Sequence, residues 1–163
     1  MDIGLFFISV VAGLLGTFAM DVGSALGSRV GLLKPPSAAL LGRWVAYLIR
    51  GKLVHRTIFD ANPVKHESLI GIASHYGIGV ALGILYFWLA AQLAFSPADI
   101  LTAIAYGTMT DVFPFLLMFP AMGFGFFALK APPGAPLFRT AIWNHLVYGL
   151  TLGVVALFTS GGG

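Results

Sequence analysis

Apolar and polar positions in this chain fall into long blocks instead of alternating. Four stretches are apolar for roughly 20 residues or more, the length a helix needs to cross a hydrocarbon core. They cover about residues 3–26, 69–94, 100–122 (or on to 129) and 138–158. The connectors are unequal. Loop one, residues 27–68, is long. Loop two is the turn Ser96-Pro97-Ala98-Asp99, whose Ser-Pro and Asp suit a tight turn and a new helix start. Loop three, Lys130 to Pro136, is stiff and rich in helix breakers. The tail Gly161-Gly162-Gly163 reads as frayed. The pattern predicts an all-α membrane protein, a single membrane domain over residues 1–163 with four transmembrane helices.

Loop one carries a fifth helical pattern. Pro35-Pro36 breaks the chain and Ser37 can cap. Leu40, Leu41, Trp44, Val45 and Leu48 then form one stripe at helical spacing, with Arg43, Tyr47 and Arg50 opposite and Gly51 as the stop. Two readings stand: an amphipathic helix in the headgroup plane, or a cytoplasmic lid packed on the bundle. The loop residues His55, Asp60, His66 and Glu67 read as solvated, with Glu67 suited to the start of the next helix dipole. Trp44 and Trp88 suit the aromatic belts at membrane interfaces.

Composition narrows the class. Hydrophobic residues make up 58% of the chain and charged residues 9%. Soluble domains carry about 25% charged residues, so a soluble fold is excluded. The absence of cysteine removes disulfides, thiolate metal sites and thiol nucleophiles. The first apolar stretch is too long for the roughly 7–15-residue core of a cleavable signal, and only Asp2 precedes it as a charge.

Charge sets an expected orientation. Every lysine and arginine lies in or beside loop one or loop three: Arg29, Lys34, Arg43, Arg50, Lys52, Arg56, Lys65, Lys130 and Arg139. By the positive-inside rule these loops are cytoplasmic and both termini periplasmic. The net charge of +3 is then a signal for topology and lipid headgroups. Basic residues spread along one membrane face argue against a nucleic-acid partner.

Each apolar stretch holds one interior ionisable residue, in the order Asp21, His75, Asp111, His145. A charge in hydrocarbon costs at least a few kcal/mol, roughly 2.5 or more on insertion scales. These four are therefore the candidate polar cluster, with Thr17, Tyr76, Thr110, Asn144 and Tyr148 as possible support. At about 1.5 Å per residue, Asp21, His75 and His145 fall roughly 8–10 Å inside the cytoplasmic edge, and Asp111 nearer mid-membrane. Pro114 and Pro120 should kink or interrupt the third helix just after Asp111.

The four residues sit in a repeated pattern. Gly71-x3-His75-x3-Gly79-x3-Gly83 matches Ala141-x3-His145-x3-Gly149-x3-Gly153, and Gly13-x3-Thr17-x3-Asp21 matches Ala103-x3-Gly107-x3-Asp111. This reads as two helical hairpins repeated in parallel, each an Asp helix followed by a His helix. Four-residue spacing puts small and ionisable residues on one face. Small-x3-small faces pack helices closely in lipid, which would point all four ionisable residues inward.

Met20-Asp21, Gly42-Arg43-Trp44, His75-Tyr76-x-x-Gly79, Pro120-x-x-Gly123-x-Gly125 and His145-x3-Gly149 resemble, in order and spacing, a bacterial inner-membrane family known as domain of unknown function 2938. The resemblance covers nearly the whole chain. It implies a four-helix inner-membrane protein and no particular activity.

Three functions fit the residues. An Asp/His cluster inside a membrane suits a proton, ion or small-solute pathway, for which four helices would need to oligomerise. The same residue types suit a divalent metal, with His75, His145 and Asp21 as ligand candidates, or a haem held by the two histidines. Zinc held by the full set would require all four side chains to converge. Or Asp21–His75 and Asp111–His145 are structural pairs in an accessory or scaffold subunit of a larger membrane complex. A classical enzyme is disfavoured: there is no nucleophile elbow, phosphate-binding loop or dinucleotide fingerprint, and Ser74 and His75, adjacent on a helix, point different ways.

Overall fold

The computed structural model describes residues 2–34 and 37–160, and for Ser160 the backbone alone. The Pro35-Pro36 break and the glycine tail lie outside the described residues. Six α-helices follow in chain order: α1 (Ile3–Arg29), α2 (Ala38–Ile49), α3 (Glu67–Leu93), α4 (Ile100–Met109), the single turn α5 (Phe119–Ala121) and α6 (Leu137–Ser160). No strand occurs among the described residues. Four segments are long and apolar enough to cross a membrane: Ile3–Arg29, Glu67–Leu93, Ile100–Ala121 and Leu137–Thr159.

Local chemistry explains the helix ends. Asp2 accepts the Leu5 N–H at 2.8 Å, and Asp99 accepts the Leu101 N–H at 3.0 Å and the Thr102 hydroxyl at 2.8 Å. The Thr102 bond holds the Asp99 carboxyl below its ordinary range. Ser37 caps α2 by accepting from Leu40 N–H at 3.3 Å. The other end of α2 closes as a Schellman motif: Gly51 N–H donates to the Leu48 carbonyl and Lys52 N–H to the Tyr47 carbonyl, each at 2.9 Å. Gly51 takes φ +82°, which is why glycine stands there.

The third apolar stretch is broken, as its prolines predict. α4 stops at Met109, and Thr110 and Asp111 form a turn. Pro114 has no N–H to return to the carbonyl of residue 110, and its ring crowds that carbonyl. A π-helical turn, Pro114–Met118, follows, and Phe119 N–H reaches back to Pro114.

The chain packs as two compact units. One takes Met1–Ser24, Tyr76–Thr110 and Ile142–Gly163; the other takes Ala25–His75 and Asp111–Ala141. In the first, glycines let helices touch backbone to backbone. A Cβ on Gly13 would lie 2.7 Å from the Gly79 carbonyl oxygen, and one on Gly83 would lie 2.7 Å from the Ser9 carbonyl oxygen. Gly107 faces the His145 carbonyl and Gly149, while Gly149 faces the Ala103 carbonyl. Around these seams Ala12, Tyr86, Phe87, Ala103, Tyr148 and Leu152 form the apolar core. Tyrosine hydroxyls reach backbone carbonyls of neighbouring segments: Tyr86 to Pro97 at 2.8 Å, Tyr106 to Leu82 at 2.7 Å and Tyr148 to Gly79 at 2.5 Å.

In the second unit α2 packs on the first turns of α3. Gly42 lies against the Glu67 carbonyl and Gly71 against the Ala38 carbonyl, with no space for a side chain at either. Loop residues 52–58 dock on the turn that follows α5. His55 N–H donates to Ala121 at 2.8 Å and Ile58 N–H to Met122 at 2.9 Å. Ile58 is fully buried. Gly123, at φ +90°, gives the Arg56 carbonyl room to approach. Phe115 stacks on Phe138 at 5.0 Å.

Candidate functional site

Asp21 and His145 belong to the first unit, His75 and Asp111 to the second. In the first unit, Asp21 accepts the Tyr76 hydroxyl at 2.9 Å. His145 Nδ1 lies 2.6 Å from the Thr110 hydroxyl oxygen. That hydroxyl also donates to the Gly107 carbonyl at 2.6 Å. Which of Thr110 and His145 donates in their contact depends on the histidine tautomer. Asn144, one residue earlier on α6, accepts the Ser24 hydroxyl at 2.5 Å. The broken third stretch explains part of this geometry: α4 stops at Met109, so the Thr110 side chain is presented from its C-cap.

Asp21 corrects the expectation of four inward-facing residues. Gly13 and Thr17 are buried, but Asp21, on the same four-residue spacing, is exposed on the chain's own surface. His75 and His145 are half-buried, and Asp111 is buried at 3% exposure. Of the support residues, Tyr76, Thr110 and Asn144 bond across to another helix as described, and Tyr148 reaches a backbone carbonyl. Thr17 instead turns to its own helix, donating to Gly13 at 2.8 Å. Among the described residues no three His, Asp or Glu side chains gather as a metal-binding group. The metal reading gains no support from this.

Sequence reasoning missed Ser24 and the polar core of loop one. His55 is not solvated: it is 5% exposed, and its ring meets Tyr47 edge to face at 5.1 Å. Its Nε2 is buried without a hydrogen-bond partner among the described residues. Burial first, and the nearby Lys52 ammonium second, push its pKa below the ordinary 6.5, against a smaller raising effect of the Lys52 backbone carbonyl.

Glu67 is not solvated either. It takes Arg43 Nε and Nη2 in a two-pronged pair, each at 2.9 Å, and accepts Val64 N–H at 3.0 Å. Arg43 also donates to the Ala61 carbonyl at 3.0 Å. The Glu67 bond raises the Arg43 pKa further. Trp44, read as a belt residue, is buried at 7% exposure and donates Nε1–H to the Leu53 carbonyl at 2.9 Å. The signal for all three lay in the sequence: Gly42-Arg43-Trp44 places a glycine, a fork donor and an indole on successive helix positions, and Glu67 is the carboxylate at the start of α3.

The architecture defines an all-helical protein with four helices long and apolar enough to span a membrane. The chain belongs to the family described as Protein of unknown function (DUF2938), whose model matches residues 10–159. No curated protein and no solved structure matches it.

Proposed function

We propose that this is a multi-pass protein of the bacterial inner membrane that serves as an accessory or scaffold subunit, with its intramembrane polar residues acting as locks between helices. The observation that carries this reading is the set of bonds in the first unit: Ser24–Asn144, Tyr76–Asp21, Thr110–His145 and Tyr148–Gly79. Each joins segments distant in sequence. Each contributes about 0.6 kcal/mol on average for such bonds in a bilayer, enough collectively to set helix register. Loops one and three are cytoplasmic and both termini periplasmic, supported by the lysine and arginine distribution. A single cysteine at Lys52 then reacts with membrane-impermeant reagent only from the cytoplasmic side; labelling from the periplasm would overturn the topology.

Two parallel hairpins are supported by equivalent contacts at matched positions. Gly79 packs on Gly13 and Thr17, while Gly149 packs on Ala103 and Gly107.

A proton, ion or small-solute pathway is the second reading. The buried Asp111 within an apolar span favours it. Flux in liposomes separates the two. The scaffold reading expects no flux above empty vesicles, and lower thermal stability for His145→Ala. Flux that Asp111→Asn abolishes while the protein stays folded would replace it with the pathway.

A further inference from the structure

We infer that the end of α2 and the turn after it form a docking surface for the headgroups of anionic lipids. Four apolar side chains here face outward: Leu48 and Leu53 at 39% exposure, Val54 at 63% and Ile49 at 79%. Two cations stand among them. Arg50 and Lys52 both lie over the Tyr47 ring, the guanidinium carbon at 6.0 Å from its centre and the ammonium at 5.6 Å. The Schellman motif is what gathers them. It makes Arg50 the last cap residue and folds Lys52 back on Tyr47, so two positive charges meet at one aromatic ring. Arg43 pairs with Glu67, and neither Arg50 nor Lys52 shares in that pair.

Paired cations without a carboxylate suit a phosphodiester. The α2 dipole opposes an anion here with about half a negative charge, against two full positive charges.

The position of the patch selects a lipid over a soluble anion. α2 packs on Glu67 and Gly71, the first turns of a span, and the first turn of a span lies at the headgroup level. A soluble phosphate would gain nothing from Ile49 and Val54, whereas a bilayer takes up apolar side chains and binds cations from the same direction. The turn is also held firmly, because Trp44 bonds the Leu53 carbonyl from below. The surface takes Leu48 from one stripe of α2 and Tyr47 and Arg50 from the other. It is a tip where the helix stops.

The inference rests on the spanning reading of the long helices. The chain lacks cysteine, so Ile49→Cys takes a single environment-sensitive fluorophore. Full-length protein is reconstituted in phosphatidylcholine vesicles with or without phosphatidylglycerol. Resistance to alkaline carbonate extraction is checked first. Stripping of the chain would refute spanning and this inference with it.

For inserted protein, phosphatidylglycerol shifts the label's emission to the blue and protects it from acrylamide. Arg50→Gln with Lys52→Gln lowers the docked-to-undocked ratio roughly 25-fold, about fivefold per cation. Equal protection in both vesicles, or no effect of the double variant, overturns the inference while leaving the spanning reading intact. Protection produced by inorganic phosphate in phosphatidylcholine vesicles would make this a free-anion site instead. Protection that tracks protein density would make it a contact with a second copy.

Discussion

Residues 2–24, 76–110 and 142–160 are held together by the absence of side chains, whereas residues 25–75 and 111–141 are held largely by groups a soluble protein would also use. In the first unit the contacts that matter are Gly13 on Gly79, Gly83 on Ser9 and Gly149 on Ala103, each a backbone meeting a backbone. Lipid tails are as apolar as leucine, so burying leucine gains nothing there, and close packing with hydrogen bonds takes its place. In the second unit a loop adds its backbone to a turn through His55 and Ile58, and a two-pronged Arg43–Glu67 pair ties α2 to α3. An ion pair and a buried histidine are among its contacts.

The two units respond alike where a glycine is filled, because each has a seam of backbone on backbone. Gly149→Leu in the first unit and Gly42→Leu in the second each force a side chain into backbone and should cost about 3 kcal/mol or more. Both should lower the thermal midpoint in detergent by more than any other change named here. Gly77→Leu is the control, since nothing lies within 4 Å of its Cβ position, and it should be neutral. An effect of Gly77→Leu equal to the other two would remove the case for specific seams.

Arg43→Ala comes next and probes the second unit alone. It takes the guanidinium from the Glu67 carboxylate, which keeps only the Val64 N–H, and from the Ala61 carbonyl. Proteolysis of residues 50–66 should accelerate, while cross-linking across the Ser24–Asn144 contact stays unchanged. Loss of both together would mean the units do not separate energetically.

Thr110→Val is smaller and belongs to the first unit. It removes the bond to His145 and should cost about 1 kcal/mol. The loss is read as a lower thermal midpoint in detergent.

The smallest effect is one of pH. His55 is held neutral, its folded pKa below 6.5. As pH falls through 6.5 the unfolded chain takes up the proton and the folded chain does not. Stability therefore declines from about 6.5 down to the depressed folded value, below which the loss is complete. His55→Gln should flatten this decline, read as the difference in thermal midpoint between wild type and variant at neutral and mildly acidic pH. Identical pH profiles would show that His55 is not desolvated.

Much of this was legible in the residues. Four apolar stretches, the cap at Asp99, the stop at Gly51 and the break near Pro114 follow from composition and local sterics, and each appears in the structure. The small-residue seams were legible too, because four-residue spacing fixes a helix face. Loop one was not. Nothing in its local pattern says that Ala121 and Met122, more than 60 residues on, offer carbonyls to His55 and Ile58. Asp21 shows the same limit from the other side: spacing put it on the face of Gly13 and Thr17, yet it is exposed.

By itself, then, the sequence determined the class of protein, the helices and their ends, since these depend on residues within a turn or two of each other and on the length of the apolar runs. Tertiary structure decided the partners: Thr110 for His145, Tyr76 for Asp21, Asn144 for Ser24, Glu67 for Arg43. A side chain's reach is a few ångströms, and which groups fall within it depends on how distant segments pack.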